Sequence, residues 1–383
     1  MVNKGKIRVA MVVPAFPLPE VGVNGGIQGV SLYLSQALTE MPEVDLQVIM
    51  PMALPGDGGL RQIYGLQVHF LEQKRAGDRY IYSADLSKMQ RLIKDLSPDI
   101  VHFQGLTTWA NQCPFPNIVT IHGIAERDVL YRGSLINSRL KFLIIWLIEG
   151  RARRKARNLI VINPYVYRFL GSRRTQQVWD IPNPVSREFF TIDHQPEFGR
   201  IFSASRMIPL KNIIALIKAF AQIADSDPRL ELRLAGSGQD NDYGQECRSL
   251  VNALGLNDRV KFLGLLPLQS IREELSRAAC FALCSYQENA PLSISEAMAA
   301  GVPVIASRAG GIPWMVTDGL TGVLVNVAET IEIARSLKQV LFSDDCIRMG
   351  NAARQTARKQ FYPAEVAKRT LDAYQFILNH QNT

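Results

Sequence analysis

The sequence predicts an α/β protein with two doubly wound parallel sheets, and three observations support this fold class. The chain has 383 residues, which is more than one ordinary core holds and enough for two domains of roughly 150–200 residues. Its composition, 47% hydrophobic and 20% charged with 27 glycines and 20 prolines, is typical of a globular protein and excludes disordered, collagen-like and disulfide-stapled chains. Short β-branched runs alternate with longer amphipathic stretches, which is the pattern of βαβ units.

The strand-like runs fall into two series along the chain. The first series predicts strands at Ile7–Val13, Leu46–Met50, Leu66–Leu71, Ile100–Phe103, Ile118–Ile121 and Leu159–Ile162. The second predicts strands at Arg200–Ala204, Leu230–Ala235, Val260–Leu263, Phe281–Cys284, Pro303–Ala306 and Val323–Val325. Two such series imply two facing Rossmann-like domains with an interdomain cleft at the carboxyl ends of their sheets, where ligands usually bind.

The boundary between the two domains is predicted at Asp180–Gly199, where several prolines supply linker chemistry just before a new strand. We therefore expect residues 1–185 to form the N-terminal domain and residues 186–363 to form the C-terminal domain. Apolar spacing over Ala364–Leu378 predicts a terminal helix, and we expect the segment 364–383 to pack back on the first domain.

The charge, the cysteines and the N-terminus bear on partners and location. A net charge of +8 favours phosphate-bearing ligands or anionic surfaces. Five cysteines, an odd number without C-x-x-C spacing, indicate reduced thiols in a reducing compartment.

Lys4, Lys6 and Arg8 precede the apolar stretch Val9–Leu18 as in a secretory signal, but two prolines interrupt it, and a first strand explains it better. The longest apolar run, Phe142–Ile148, is too short to span a bilayer, so we expect a cytoplasmic protein.

A glycine-rich loop, Gly22–Gly29, lies between the first strand and an amphipathic stretch. Glycines at such a junction let the backbone approach a ligand, and the start of a helix presents free N–H groups to an anion. The spacing matches neither the dinucleotide-binding fingerprint nor a Walker loop. A merely tight turn is the alternative interpretation.

Two cations, Arg206 and Lys211, follow the first strand of the second domain. An arginine fork and a lysine point charge on one strand-exit loop can converge on one pyrophosphate. Ordinary solvation at the surface is the alternative interpretation for this pair.

The most specific element is the segment from Glu288 to Gly301. Pro291 suits the first turn of a helix and Gly301 its end, so Glu288 precedes the helix and Glu296 lies in its second turn. Both carboxylates can then face one cleft, and the amides of Asn289–Leu292 point outward from the helix start. Carboxylates that accept hydrogen bonds from sugar hydroxyls, beside amides that bind phosphate, predict a nucleotide-sugar site.

Two further elements have weaker signals. Asp240-Asn241-Asp242 matches the Asp-x-Asp of metal-dependent transferases only superficially, and we interpret it as a solvated loop. No His/Cys cluster has metal-ligand spacing, so no metal is expected. His69 and His102 are interpreted as structural, and a histidine at a strand end, such as His122, is by itself more often structural than catalytic.

The segment 140–157 joins an apolar stretch to a basic run with five cations, Arg151, Arg153, Arg154, Lys155 and Arg157. An apolar face beside cations is what an interfacial helix needs to lie on anionic lipid. The alternative is a helix that packs in its domain with a solvated, charged end. Nucleic acid is not expected as a partner, because no aromatic stacking platform accompanies the charge.

Together these motifs resemble the retaining glycosyltransferases of family 4, which have the GT-B fold. The resemblance covers nearly the whole chain and rests on Gly25-Gly26, Thr120-Ile121-His122-Gly123, Ile181-Pro182-Asn183-Pro184-Val185, Arg206 with Lys211, Glu288-x7-Glu296, and Gly310-Gly311-Ile312-Pro313 before Asp318-Gly319. One departure is Asn289-Ala290-Pro291, where the family often has Gly or Ser followed by Phe-Gly. Another is Asn183-Pro184-Val185, where the family has Asn-Gly-Val. The first lies beside the donor sugar, so the resemblance does not identify the sugar.

The resemblance implies a function and a role for each motif. It implies transfer from a nucleotide-diphospho-sugar to a glycan or lipid-linked acceptor with retention, without a metal or other cofactor, in surface polysaccharide or glycoconjugate synthesis. The first domain would then bind the acceptor and the second the donor, with a peripheral location at the inner face of the membrane. The catalytic residues implied are His122, Glu288, Arg206 and Lys211; those implied to bind the donor are Gly25, Gly26, Arg206, Lys211, Asn289, Ala290, Pro291, Leu292 and Glu296. Within these sets Glu296 would bind the ribose, Glu288 a sugar hydroxyl, and Arg206 with Lys211 the diphosphate.

Three other functions remain alternatives. A GT-B-type epimerase would convert the donor without an acceptor, and a non-catalytic partner would only bind it. An NAD-dependent oxidoreductase is disfavoured, because neither domain's first turn has the dinucleotide fingerprint.

Overall fold

A computed structural model of the protein describes residues 5–53, 57–72, 75–76, 79–80, 86–124, 126–127, 135–170, 176–343 and 345–380. Lys4 of the predicted N-terminal pattern lies outside these residues. Contacts divide the chain into two units. The first comprises Met1–Glu126, Phe142–Pro184 and Pro363–Thr383, and the second comprises Arg127–Lys141 and Val185–Tyr362.

The first unit is built on an eight-stranded sheet in the order β10-β9-β8-β7-β1-β2-β4-β3. Its strands are β1 (Ile7–Val12), β2 (Val44–Ala53), β3 (Gly59–Ile63), β4 (Leu66–Glu72), β7 (Ile100–Gln104), β8 (Asn117–Ile121), β9 (Asn158–Val161) and β10 (Gln177–Asp180), while β5 (Arg75–Ala76) and β6 (Arg79–Tyr80) form a separate ribbon. All neighbours are parallel except β3 and β4. The central strands are buried on both faces, which explains why their sequences are continuous apolar runs.

Helices cover this sheet. They are α1 (Gly26–Thr39), α2 (Leu86–Leu96), α3 (Thr107–Ala110), α4 (Leu135–Lys155), of which the part from Phe142 onward belongs to this unit, and α11 (Pro363–Asn379). The last of these contributes Val366, Leu371 and Tyr374 to the same apolar cluster as α1 and the strands around β1. The terminal helix therefore shares the core of the first unit.

The second unit is built on a six-stranded, all-parallel sheet in the order β13-β12-β11-β14-β15-β16. Its strands are β11 (Arg200–Ala204), β12 (Glu231–Ala235), β13 (Val260–Gly264), β14 (Cys280–Leu283), β15 (Val304–Ser307) and β16 (Gly322–Val325). Its helices are α5 (Ile213–Ala221), α6 (Asp242–Ala253), α7 (Leu268–Arg277), α8 (Leu292–Ala300), α9 (Thr330–Leu341) and α10 (Asp345–Gln360).

The predicted α/β class with Rossmann-like parallel sheets is confirmed, and every predicted strand is present with ends shifted by a few residues at most. The prediction missed the short ribbon of β5 and β6, and in the main sheet it missed β3 and β10. Strand β3 is an antiparallel edge strand with polar, exposed residues, and β10 is an edge strand that is only partly buried. Edge strands lack the apolar runs by which buried strands are recognised. Among the described residues no helix is long and apolar enough to cross a membrane.

Each sheet has a point at which the strand order reverses. In the first unit the reversal falls between β1 and β7, and in the second between β11 and β14. Open α/β sheets bind ligands outside the carboxyl ends of the strands at this switch point. The loops that follow these four strands are therefore where candidate site residues are sought.

Candidate active site

In the second unit, the predicted site residues follow the two strands at the switch point. Arg206 and Lys211 follow β11, and Glu288 follows β14. The two loops are joined, because the backbone N–H of Tyr286 donates to the carbonyl of Leu210 at 2.9 Å. The sheet topology thus brings together residues that are about 80 positions apart in sequence.

An ion pair between Lys211 and Glu288 connects the loops at the level of side chains. The Glu288 carboxylate is buried and also accepts a hydrogen bond of 2.7 Å from the Ser285 hydroxyl. The sequence suggested that Lys211 and Arg206 would share one phosphate. Instead Lys211 contacts the carboxylate, whereas the Arg206 side chain is exposed and no described residue pairs with it. The pairing with Glu288 was not predicted, since nothing in the spacing reveals it.

Glycines let backbone segments approach closely around this pair. A Cβ on Gly310 would lie 1.8 Å from the carbonyl oxygen of Glu288, and the N–H of Gly311 donates to that oxygen at 2.9 Å. A Cβ on Gly236 would lie 1.8 Å from the carbonyl oxygen of Ser205, beside Arg206. Both close approaches require glycine, so these positions hold the loops of Arg206 and Glu288 in place.

The helix α8 begins after Pro291 and ends at Gly301, whose φ of 79° is the left-handed conformation favoured by glycine. Glu296 lies in its second turn, as predicted. Burial raises the pKa of Glu296 to about 7, and no described residue donates a hydrogen bond to its carboxylate. The two glutamates therefore differ, because Glu288 has partners in the protein whereas no described residue donates a hydrogen bond to Glu296.

The segment Asn289–Leu292 is partly buried at the start of α8. The backbone N–H groups in the first turn of a helix have no partner within the helix and carry partial positive charge. An anionic group of a ligand can bind there, and the start of α8 lies directly after Glu288 in the chain.

In the first unit, the glycine loop follows β1 and leads into α1. Gly25 has a φ of 146°, which only glycine adopts readily, and Gly26 is the first residue of the helix. Both are exposed, with open space where a Cβ would be. The side-chain oxygen of Gln28 accepts a hydrogen bond of 2.8 Å from the Asn24 N–H, which ties the loop to the helix.

His122 follows β8, next to the strands of the switch point. Its Nε2 lies 2.6 Å from the side-chain oxygen of Gln104, at the carboxyl end of β7. Burial lowers the pKa of His122 to about 4, and a hydrogen bond with the Asn183 side chain opposes this shift. The imidazole is therefore neutral at pH 7. Sequence reasoning missed Gln104, which belongs to no motif, whereas Asn183 stands in the Ile181–Val185 element.

The other histidines have partners within the first unit. His69 lies 2.6 Å from the side-chain oxygen of Gln47 on the neighbouring strand. His102 is completely buried and contacts the hydroxyls of Tyr374 and Thr120. Both were interpreted as structural, and His102 in addition touches Gln104, the partner of His122.

The Asp240-Asn241-Asp242 segment has a structural use. Asn241 caps α6, because its side-chain oxygen accepts a hydrogen bond of 2.8 Å from the Gly244 N–H. Its amide nitrogen donates to the carbonyl of Met207 at 2.9 Å, within the loop that contains Arg206. Within the described part of the chain, no group of three His, Cys, Asp or Glu residues could hold a metal ion.

The predicted basic run lies at the end of α4. Leu143, Ile144, Trp146, Leu147 and Ile148 are exposed along the preceding part of the helix. One of the five cations does not belong to the surface, because Arg153 is buried and paired with Glu126. Arg153 is therefore not available to an anionic surface, and the sequence could not distinguish it from its neighbours.

Two parallel sheets, each with site residues at its switch point, define a GT-B glycosyltransferase fold. Solved structures agree. A sucrose-phosphate synthase from Thermosynechococcus elongatus matches with a TM-score of 0.81 at 21% identity, covering 98% of this chain and 100% of that one. The Anabaena protein HepE, solved with UDP and glucose, matches with a TM-score of 0.73 at 17% identity, covering 97% and 100%.

The chain belongs to glycosyltransferase family 4. Residues 24–189 match the model of Glycosyltransferase Family 4, and residues 186–359 match that of Glycosyl transferases group 1. A D-inositol 3-phosphate glycosyltransferase of Corynebacterium glutamicum is 35% identical over 167 residues, which are 43% of this chain and 40% of that relative. An uncharacterized glycosyltransferase of Bacillus subtilis is 27% identical over 79% of this chain and 84% of its own length. The alignment with the first of these thus spans well under half of that relative.

Proposed function

We propose that the protein is a retaining, metal-independent hexosyltransferase that moves a sugar from UDP- or GDP-sugar to a glycan or lipid-linked acceptor. The observation that carries the proposal is the contrast at the switch point of the second unit. There Glu288 is held by Lys211 and Ser285, while Glu296 has no hydrogen-bond donor among the described residues. A carboxylate without a protein donor, on the helix that directly follows the Lys211–Glu288 pair, suits a ribose attached to a diphosphate.

Each group in the second unit has a role in this proposal. Glu296 accepts hydrogen bonds from the ribose, and the amides at the start of α8 with Arg206 and Lys211 neutralise the diphosphate. Glu288 accepts a hydrogen bond from a hydroxyl of the donor sugar. A UDP-glucose complex has been solved for the Anabaena protein of the same fold, which supports this class of donor.

The proposed chemistry is a front-face displacement. The bond between the anomeric carbon and the leaving diphosphate breaks, the acceptor oxygen bonds to that carbon from the same face, and the diphosphate takes the acceptor proton. Negative charge grows on the departing phosphate in the transition state, and the positive charges of Arg206 and Lys211 stabilise it. His122 orients the sugar as a neutral ring, and the N–H of Gly26 contributes near the phosphate.

The acceptor is proposed from the surface of the first unit. Leu143, Leu147 and Arg151 are exposed and four residues apart, so they lie along one side of α4. On this side Leu143 and Leu147 are apolar, whereas Arg151 and Lys155, which is also exposed, are cationic. The apolar and cationic parts are about 12 Å apart along the axis. A helix that inserts its apolar end into an anionic membrane surface and keeps its basic end among the headgroups fits this order.

A small polar acceptor is the second candidate. Relatives include a D-inositol 3-phosphate glycosyltransferase and an N-acetyl-alpha-D-glucosaminyl L-malate synthase of Bacillus anthracis, 33% identical over 44% of this chain and 43% of that relative. The names of both relatives refer to an anionic small molecule, inositol phosphate or malate. The net charge of +8 on this chain also favours anionic acceptors.

A thermal-shift series tests the donor part of the proposal. The protein is heated with UDP, GDP, ADP and their sugar conjugates in the presence of EDTA. We expect one nucleotide to raise the melting temperature selectively, because a ligand that binds only the folded state stabilises it. Glu296→Gln should reduce this shift, and Glu332→Gln, in α9, should not. If no nucleotide shifts the wild type at millimolar concentration, the donor assignment is wrong.

Product analysis then separates the functional alternatives. With the selected donor, we expect a new glycoside of unchanged anomeric configuration by NMR, formed with a membrane lipid extract and unaffected by EDTA. Product with inositol phosphate or malate alone identifies the second candidate. Conversion of the donor sugar without acceptor indicates an epimerase, and binding without any turnover indicates a non-catalytic partner.

Vesicle co-sedimentation tests the membrane surface. We expect the protein to bind vesicles with anionic phospholipid and not neutral ones, and Leu147→Asp to abolish binding. Leu254→Asp is the matched control, because Leu254 is an equally exposed leucine in the second unit. Equal loss in both variants, or binding that is indifferent to lipid charge, would contradict the proposed surface.

A further inference from the structure

A continuous chain of polar side chains lies behind His122 within the first unit. His122 Nε2 is 2.6 Å from Gln104 Oε1, and Gln104 Nε2 is 3.2 Å from His102 Nε2. On its other side, His102 Nδ1 is 2.6 Å from the hydroxyl of Tyr374, which lies on the terminal helix α11. Thr120 adds a hydroxyl 2.7 Å from His102 Nε2. The chain connects the terminal helix to the candidate site.

The interior members of this chain are sealed from water. Gln104, His102 and Tyr374 are each 0% exposed. Burial lowers the pKa of His102 to about 3 and raises that of Tyr374, so both are neutral at pH 7. A buried polar group without a partner is costly, so loss of a hydrogen bond from this chain is not compensated by water.

The donor and acceptor atoms give this chain a direction. The side-chain oxygen of Gln104 can only accept, so His122 carries its proton on Nε2. The side-chain nitrogen of Gln104 can only donate, so Nε2 of His102 accepts, and its proton resides on Nδ1 and is donated to Tyr374. Because one amide faces both rings, the two histidines must have opposite proton patterns at Nε2.

We infer that Tyr374 acts through His102 and Gln104 to fix which ring nitrogen of His122 carries the proton. All three are positioning residues, since only His122 is assigned to the substrate. The effect on the proposed sugar transfer rests on the function proposed above, whereas the effect on the proton of His122 follows from the chain itself. The terminal helix thereby contributes to the site through hydrogen bonds as well as through packing.

Removal of the Tyr374 hydroxyl reverses the chain. In Tyr374→Phe, the Nδ1–H of His102 would face a hydrocarbon ring, which is costly when no water can enter. The proton then moves to Nε2, where Thr120 and the rotated amide of Gln104 accept it. The amide nitrogen of Gln104 now donates to His122, and the proton of His122 moves to Nδ1.

Histidine-selective ¹⁵N NMR on the full chain tests this prediction, because protonated and bare ring nitrogens have well separated shifts. The five histidines are assigned by single substitutions. We expect His122 to be protonated on Nε2 in the wild type and on Nδ1 in Tyr374→Phe. Thr120→Val is the matched control, because it removes the other hydroxyl on the same ring and leaves the direction of the chain unchanged. An unchanged His122 pattern in folded Tyr374→Phe overturns the inference.

A second variant tests the chain from the middle. Gln104→Glu places a carboxylate between the rings, which can accept from both, so we expect a raised pKa of His122 and Nε2–H on both histidines. Gln47→Glu beside His69 is the matched control, since that pair has the same atoms at the same 2.6 Å. If the pKa of His122 shifts no more in Gln104→Glu than it does in Gln47→Glu, Gln104 does not control the protonation of His122.

Kinetics separates failure of the inference from failure of the proposed function. For Tyr374→Phe we expect kcat for sugar transfer to fall about tenfold with the donor KM within twofold, because a misdirected ring affects orientation more than binding. An altered His122 proton with unchanged kcat would remove His122 from the reaction and leave the chain intact. Absence of transfer in the wild type would refute the proposed function, while the NMR result would still stand.

Discussion

The carboxyl ends of the two sheets carry different kinds of candidate site residues, charged in the second unit and neutral in the first. In the second unit, the switch point holds a charged pair, Lys211 with Glu288, and an exposed guanidinium, Arg206. In the first unit, the corresponding edge holds neutral groups, His122 bonded to Gln104 and a glycine loop. The topology is similar in both, since each site lies at the carboxyl ends of strands at or beside the point where the order reverses.

The difference follows from what each edge is proposed to bind. A diphosphate needs fixed positive charge, and the charge must persist while the leaving group departs. A sugar hydroxyl needs a donor or an acceptor at a defined place, and a neutral ring held by a buried amide supplies this without a net charge. Burial lowers the pKa of His122 to about 4, which keeps this ring neutral through the physiological range.

The largest expected effect concerns a buried ion pair in the first unit. Glu126 and Arg153 form an ion pair with almost no exposure to solvent. Glu126 lies four residues after His122 in the chain. Arg153→Met leaves a buried carboxylate unpaired, so we expect the first unit to lose about 3–5 kcal/mol of unfolding free energy in urea. Arg151→Met, an exposed neighbour on α4, should change it by less than about 0.5 kcal/mol.

A rescue variant decides whether this charge is only structural. Replacing both partners, Glu126→Leu with Arg153→Met, should recover most of the stability, because an apolar pair carries no unpaired charge. If the double variant folds and transfers sugar at the wild-type rate, the Glu126–Arg153 pair serves structure alone and the comparison holds. If it folds but is inactive, the first edge also depends on charge.

The next largest effect lies in the second unit. Lys211→Met should lower kcat about 10²–10³-fold, as loss of a charge-stabilising donor does, and should also release Glu288. Lys218→Met is the control, because Lys218 is an exposed lysine on the following helix, α5. A comparable loss of rate in both variants would show that Lys211 has no special place. The measurement is the initial rate of sugar transfer at saturating donor.

Much of the candidate site in the second unit was visible in the sequence, and the reason lies in which residues carry it. Glu288, Glu296 and the Arg206–Lys211 loop stand in local motifs that flank strands, and the apolar runs of the buried strands predicted their order along the chain. The fold class could therefore be predicted from periodicity, and the fold and family from the motifs. The edge strands β3 and β10 could not, because their residues are too polar to form such runs.

The contacts that distinguish the two edges were hidden because they join distant segments. Tyr374 contacts His102, although the two are 272 residues apart in sequence, and Gln104 contacts the same ring. Neither a tyrosine nor a glutamine signals a site by its residue type. The Lys211–Glu288 pair spans 77 residues. In the same way Arg153 is one of five cations in a short run, and only its contact with Glu126 separates it from its exposed neighbours.

A third prediction uses pH to separate the two glutamates. Burial raises the pKa of Glu296 to about 7, and the ionised carboxylate accepts hydrogen bonds from both ribose hydroxyls more strongly than the protonated carboxyl does. Donor affinity should therefore rise about tenfold from pH 6 to pH 8. The ligand is a UDP-sugar, whose diphosphate does not titrate in this range, and affinity is measured by calorimetry.

The variant Glu296→Gln should bind the donor more weakly at pH 8 and show a flat dependence on pH. The stability of the free protein follows the opposite sign. A carboxyl whose pKa is raised on folding destabilises the folded state as pH rises from about 4.5 to 7, so Glu296→Gln should melt higher than the wild type at pH 8. A wild-type affinity that is constant from pH 6 to pH 8 would assign the ribose contact elsewhere.

The smallest expected effect concerns Asn241, whose two side-chain atoms perform separate tasks. Its oxygen caps α6, and its nitrogen holds the carbonyl of Met207, next to Arg206. Asn241→Asp keeps the cap and loses the donor, whereas Asn241→Ala loses both, at a cost of about 1 kcal/mol for the cap. We expect both variants to raise the donor KM about twofold to threefold and only the alanine variant to melt appreciably lower. Equal melting temperatures with equal KM changes in the two variants would mean that the cap contributes nothing to stability. The change in KM would then come from the lost hydrogen bond to Met207 alone. An unchanged KM in both would show that Arg206 needs no support from this segment, and the charged edge of the second unit would then depend on the Lys211–Glu288 pair alone.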